Sequence, residues 1–195
     1  MLAARAPNLH EALERGHDQD WSHVVLDGKV VQTDRLRVKT ISKKGRTIDA
    51  WYSGKTRDFG GNIQALMRPD GLPIWVFDVE PGSTHDLSAA RKHVLGALAP
   101  RPPVGCLPGR SRLRRRRSWR QHPGQATHRR RRARHQHPDR NMLLRSLRCL
   151  GERGFALLTG RWRTLQQITV SPSRIGKIAK AALVLTHFEH NYLAY

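Results

Sequence analysis

The sequence predicts an α/β fold, and three observations carry that prediction. β-Branched and aromatic runs separated by turn residues fill 23–79. Apolar residues then recur at helical spacing in 84–98, 141–160 and 172–195. Hydrophobic residues make up 38% of the 195, enough for the core of one ordinary domain.

Leu9 to Arg15 reads as a short amphipathic helix, with Asn8 placed to accept a hydrogen bond from a free amide of its first turn. His23-Val24-Val25-Leu26-Asp27 reads as a buried strand ending in a carboxylate, with Gly28 as the place to turn or bulge. A hairpin is expected around Lys43-Lys44-Gly45-Arg46, joining 37–41 to 47–52. A second joins 62–67 to 74–79 through Pro69-Asp70-Gly71, where Pro presets φ and Gly supplies positive φ. Pro81-Gly82-Ser83-Thr84 should break that strand and lead into a helix striped by Leu87, Ala90, Val94, Leu95 and Leu98. Asp86, following His85, suits capping of that helix. From Asn141, Leu143, Leu147, Leu150 and Leu157 share one helical face, with Glu152 roughly opposite and Gly160 as the stop. The last helix is expected from Pro172 or Ser173 to Tyr195, capped by Ser171 or Ser173 and carrying Ile175, Ile178, Ala182 and Leu185.

Between these parts the composition changes abruptly. Residues 101–140 hold fourteen Arg, no Lys and one acid, Asp139, so +13 of the chain's net +21 lies there. The stretch includes Arg114, Arg115, Arg116 and Arg117, then Arg129, Arg130, Arg131 and Arg132, with five prolines among and around them. It shows no structural period, and like charges repel, so disorder is expected. Such a basic segment points to a polyanion, foremost nucleic acid. An all-Arg, Pro- and His-bearing stretch is also what a GC-rich gene yields in a shifted frame. A secreted or membrane protein is not indicated: the start lacks the apolar core of a signal peptide, and no run nears the roughly 20 residues of a spanning helix. Cys106 and Cys149 are too few for a disulfide framework, which fits a reducing compartment.

Val24-Val25-Leu26-Asp27-Gly28-Lys29 and Trp51-Tyr52-Ser53-Gly54-Lys55 resemble the opening of the catalytic domain of bacterial insertion-sequence DDE transposases. The resemblance continues through Gly61-Asn62-Ile63-Gln64, Pro69-Asp70-Gly71 and Pro81-Gly82-Ser83-Thr84-His85-Asp86. It resumes at Asn141 and includes Arg148-Cys149-Leu150-Gly151-Glu152 and Arg161-Trp162. No single piece is specific; their order and spacing are, over about three quarters of the chain. The resemblance implies an RNase H-like mixed sheet with flanking helices, a fold shared with Harbinger-related nucleases. It implies Mg²⁺ or Mn²⁺ as cofactor, DNA at transposon ends as partner, and a place at the nucleoid in the bacterial cytoplasm.

In-line displacement at phosphorus uses two metal ions about 3.5–4 Å apart, held by carboxylates that converge from separate elements. By resemblance Asp27 is the first acid and Glu152 the third, both catalytic and metal-binding, with Arg148 as the arginine four residues before the glutamate. The lysine expected seven residues after it is replaced by Thr159, with Arg161 nearby as a substitute. The second acid should follow a strand in the interval that the Arg-rich stretch occupies, and no acid precedes Asp139 there. That pattern implies compensating frameshifts near 100 and 140, and the amino terminus leaves no room for the usual helical DNA-binding segment. The organisation expected is thus 1–100 as the first half of the catalytic domain, 101–140 disordered, and 141–195 as its helical remainder. The enzyme implied is a defective remnant; the alternative is a non-enzymatic nucleic-acid-binding protein acting through its arginines. Outside the resemblance, Arg148 and Glu152 read equally as an i, i+4 surface pair. Asp34, Asp70 and Asp78 read as turn or edge acids, and His187 and His190 as surface residues too few for zinc.

Overall fold

The structure is a computed structural model that describes residues 1–42, 44–98 and 138–192. Helix α1 (Leu9–Asp18) starts at the expected cap and closes a full capping box: Asn8 accepts from the Glu11 amide, and the Glu11 carboxylate accepts from Asn8. Strand β1 (Val25–Thr33) departs from the expectation. It does not end at Asp27 but runs on through Gly28. The glycine is there for close approach, since a Cβ at 28 would stand 2.3 Å from Gln64 Nε2 on the neighbouring strand.

Strands β2 (Lys39–Ile41) and β3 (Thr47–Asp49) form the first expected hairpin, shorter than its pattern suggested. After β4 (Tyr52–Ser53), the long β5 (Asp58–Met67) and β6 (Pro73–Val76) form the second, reversed at Gly71 with φ +87°. The short β7 (Glu80–Pro81) returns along β5. Helix α2 (Asp86–His93) stops at Val94, and a separate turn, α3 (Leu95–Leu98), follows. The expected stripe is therefore broken: Ala90 and Val94 are buried, whereas Leu87 and Leu95 are exposed.

Helix α4 (Pro138–Arg161) begins three residues before Asn141, inside the stretch expected to be disordered. The rest of that stretch, with both arginine quartets and Cys106, lies outside the described residues. A short strand β8 (Gln167–Ile168) precedes α5 (Ile175–Glu189), which is entered through a 3-10 turn at Pro172–Arg174. Neither serine caps it; the Ser171 and Ser173 hydroxyls bond each other at 2.9 Å. The helix also ends at Glu189, short of the expected Tyr195.

β5 is the hub of the sheet. It pairs antiparallel with β1 from Met67↔Val25 to Gly60↔Gln32, and with β4, β6 and β7. β8 adds to β1 in parallel at Gln32 and Thr33, which makes the sheet mixed. Helices flank it on both sides. Val25, Val31, Ile63, Ala65 and Met67 pack against Phe155 and Leu158 of α4 and Ala179 and Leu183 of α5. Leu26 and Leu66, on the opposite face by the period of 2, pack with Ala12 of α1 and Val94. The alternation of β1 therefore sends Asp27 and Lys29 towards α4, and Gly28 towards α2.

Candidate functional site

Asp27 is the third residue of β1, half-buried beneath α4. Its Oδ1 accepts the Gly28 amide at 2.8 Å. Burial raises its pKa above the usual carboxylate value; the Gly28 amide and Lys55 pull it down, while Asp86 and Glu152 push it up again. Glu152 sits one residue beyond Gly151, the helix residue that lies against Asp27. It is exposed, and Arg148 Nε stands 3.6 Å from its Oε1, a loose pair between two solvated side chains. Asp27, Arg148 and Glu152, together with Lys29, Lys55 and Phe155, line one cavity of about 300 Å³. The fold thus brings together the three residues that the resemblance singled out in the described part of the chain.

Lys29 and Lys55 carried no role in the sequence reading. Had β1 been read through Gly28, the strand period would have placed Lys29 beside Asp27. Lys55 Nζ binds Asp86 Oδ2 at 2.7 Å, and Asn62 Nδ2 donates to Asp86 Oδ1 at 2.7 Å. Gln64 in turn donates to Asn62 Oδ1 at 3.1 Å. Asp86 is therefore not a cap: it is the first residue of α2, after His85, and no side chain caps that helix. Its carboxylate is drawn instead into the polar chain that buried Asn62 and Gln64 build over Gly28.

Arg161 does not stand in for the missing lysine. Its guanidinium binds Glu189 at 2.7 Å and lies over the Trp162 ring, away from the cavity. The cation that does reach Thr159 is Lys29, whose Nζ donates to Thr159 Oγ1 at 3.0 Å. His187 is likewise not a surface residue. It is fully buried, and its Nε2 bonds the Pro73 carbonyl at 2.8 Å. Asp34 is exposed, Asp70 caps its own turn by accepting the Leu72 amide, and Asp78 binds Lys180, so these three acids stay apart from the site.

The decisive comparison is with protein families: the model of the DDE superfamily endonucleases matches residues 26–187, spanning both halves of this site. The chain belongs to the DDE superfamily of endonucleases. No curated protein and no solved structure matches it. Endonucleases of this superfamily act on DNA and use divalent metal ions, and the mixed sheet with flanking helices fits their fold. The donor set meets that metal requirement in part. Asp27 and Glu152 offer the hard oxygens that Mg²⁺ or Mn²⁺ prefers, leaving positions for water and phosphate. A third acid does not complete the set: among the described residues no three His, Cys, Asp or Glu are grouped to hold an ion. Asp86 is near, but both its oxygens are taken by Lys55 and Asn62. No helix among the described residues is long and apolar enough to cross a membrane.

Proposed function

We propose that this DDE endonuclease is a remnant of a bacterial insertion-sequence transposase, built for metal-dependent DNA strand cleavage and transfer and unable to complete either. One observation carries the reading: Asp27 from β1 and Glu152 from α4 line one cavity, and among the described residues no third acid closes the set. Asp27 and Glu152 are the residues that would hold Mg²⁺ or Mn²⁺, which when bound supplies charge for an in-line displacement at phosphorus. Arg148, at the cavity rim, would meet the DNA backbone. Losing one of three converging carboxylates leaves the charge poorly positioned, in chemistry that depends on position.

The topology of β1 supports a lesion in 101–140. One edge of β1 pairs with β5 from Val25 to Gln32, but the other pairs with a strand only at Gln32 and Thr33 among the described residues. A strand bearing the second acid would belong along Val25–Val31. The chain then divides into 1–100 and 141–195 as the two parts of the catalytic domain, with 101–140 a frameshift product. At the nucleoid such a product would bind transposon ends, or other nucleic acid, through charge. The +13 of 101–140 also favours a second reading, a non-enzymatic nucleic-acid-binding protein acting through Arg114–Arg117 and Arg129–Arg132.

The test of the first reading is cleavage of supercoiled plasmid with Mg²⁺ or Mn²⁺. No nicking above background is expected. Robust nicking lost in Asp27→Ala would overturn the defect. Reading codons 98–142 of the coding DNA in the other frames should reveal an apolar strand ending in Asp-x-Gly-Tyr. An intact frame with no such strand in either alternative would overturn the frameshift.

A further inference from the structure

Lys29 is a cation without a carboxylate partner among the described residues, in a cavity where the other cations have one. Lys55 is bound by Asp86 at 2.7 Å, and Arg148 lies beside Glu152. Lys29 has only the Thr159 hydroxyl, 3.0 Å from its Nζ. That hydroxyl donates its own proton to the Phe155 carbonyl at 2.8 Å, so it turns a lone pair to the ammonium and fixes it. An ammonium has three N–H donors, and one hydroxyl leaves two of them to be satisfied from the cavity. Holding a partly buried charge this way is unfavourable unless an anion completes it. The same cavity holds Asp27 and Glu152, which would repel a phosphodiester unless a positive charge stood close by.

We infer that Lys29, held by Thr159, is the phosphate contact of this cavity. It is a positioning residue that grips a backbone phosphate of DNA laid along α4 and sets which phosphate faces Asp27. The inference rests on the nuclease reading above and deepens it. The resemblance expects a lysine on α4 at 159; here the charge arrives from β1 and ends at that very side chain. Asp27 and Lys29 lie two residues apart on one strand face, so β1 sets the spacing of their backbones while Thr159 on α4 fixes where the ammonium ends.

The test uses the full chain and a short random-sequence duplex. Lysines are acylated in the free and DNA-bound protein and read by mass spectrometry, with exposed Lys44 and Lys177 as references. Lys29 should be protected several-fold by DNA, relative to those two. Lys29→Met should lower the log–log salt slope of binding by about 1, and Lys29→Arg should restore it. A purely structural role for Lys29 would shift the melting temperature and leave that slope unchanged. Bound DNA with Lys29 acylated at its free rate would overturn the inference, and needs no variant to fold. It would leave the remnant reading standing, because that reading fails on a different result, Asp27-dependent nicking. Absence of any DNA binding by the full chain would overturn the inference as well.

Discussion

Gly151 on α4 lies hard against Asp27 on β1: a Cβ at 151 would stand 2.7 Å from Asp27 Oδ2 and 2.9 Å from Asp27 Cβ. Glycine inside a helix costs about 1 kcal/mol relative to alanine, so on propensity alone Gly151→Ala should stabilise α4. The contact decides otherwise. No real Cβ sits so close to other heavy atoms, and Asp27 is fixed by its strand and by the Gly28 amide.

Gly151→Ala should therefore destabilise the protein by about 1–3 kcal/mol, the usual range for overpacking. Chemical denaturation measures it. A double-mutant cycle with Asp27→Gly, which removes every atom in the clash, should show a coupling of comparable size. Additive costs would mean that α4 does not rest on Asp27.

Asp27 itself should be a source of instability. Burial first, then Asp86 and Glu152, hold its folded pKa above the unfolded value, and the Gly28 amide and Lys55 only partly offset them. The folded state thus binds the proton more tightly than the unfolded chain does. Ionised Asp27 costs stability at neutral pH, and that cost fades as pH falls through the folded pKa towards the ordinary aspartate value of 3.8. Asp27→Asn keeps an oxygen for the Gly28 amide and should add about 0.5–1 kcal/mol at pH 7 without metal. The gain should shrink in acid. An Asn variant less stable at pH 7 would contradict this.

Asp27 and Glu152 were singled out in the sequence because the resemblance is local: each sits in a short run whose residues match. What surrounds them was not, because it is made by contacts between distant segments. Gly28 was read as a turn on its own, yet its reason is Gln64, thirty-six residues on, pressing across a strand pair. Asp86 looked like a cap because a cap is a local signal, while Lys55 and Asn62 claim it from another strand and its turn. His187 is polar, and residue type alone places it outside; the apolar breadth of α5 and the Pro73 carbonyl bring it in. The hairpin at Gly71 and the cap at Asn8 were read correctly, since each is specified within a few residues.

His187 should make the protein acid-sensitive well above the carboxylate range. Burial lowers its pKa to about 4, opposed by the Pro73 carbonyl and aided by Arg15 and His190. Unfolded, it titrates near 6.5, so between those values the unfolded chain binds the extra proton. Stability should then fall as pH drops from about 6.5 to 4, by up to roughly 3 kcal/mol, and level off below. Comparing urea midpoints of wild type and His187→Gln across this range isolates the effect, because glutamine can still donate to Pro73. Parallel curves for the two proteins would remove His187 as the cause.

Binding to nucleic acid should be decided by the arginine quartets, whatever the fate of the acids. Each phosphate neutralised releases counterions, and the dependence on salt counts them. If the eight side chains of Arg114–Arg117 and Arg129–Arg132 each meet one phosphate, the log–log slope on duplex DNA should be about −7. Guanidinium groups also stack on bases, so single strands should bind comparably and with little sequence preference. Replacing all eight by glutamine keeps the chain length and leaves α4, which starts at Pro138, untouched. Most of the affinity and most of the slope should then disappear, while the circular dichroism of sheet and helices stays as it was. The slope that remains would belong to the folded part, and the contribution of Lys29 should be sought there. Tight, sequence-selective binding that survives both the eight replacements and raised salt would place recognition in the folded domain instead of the arginines.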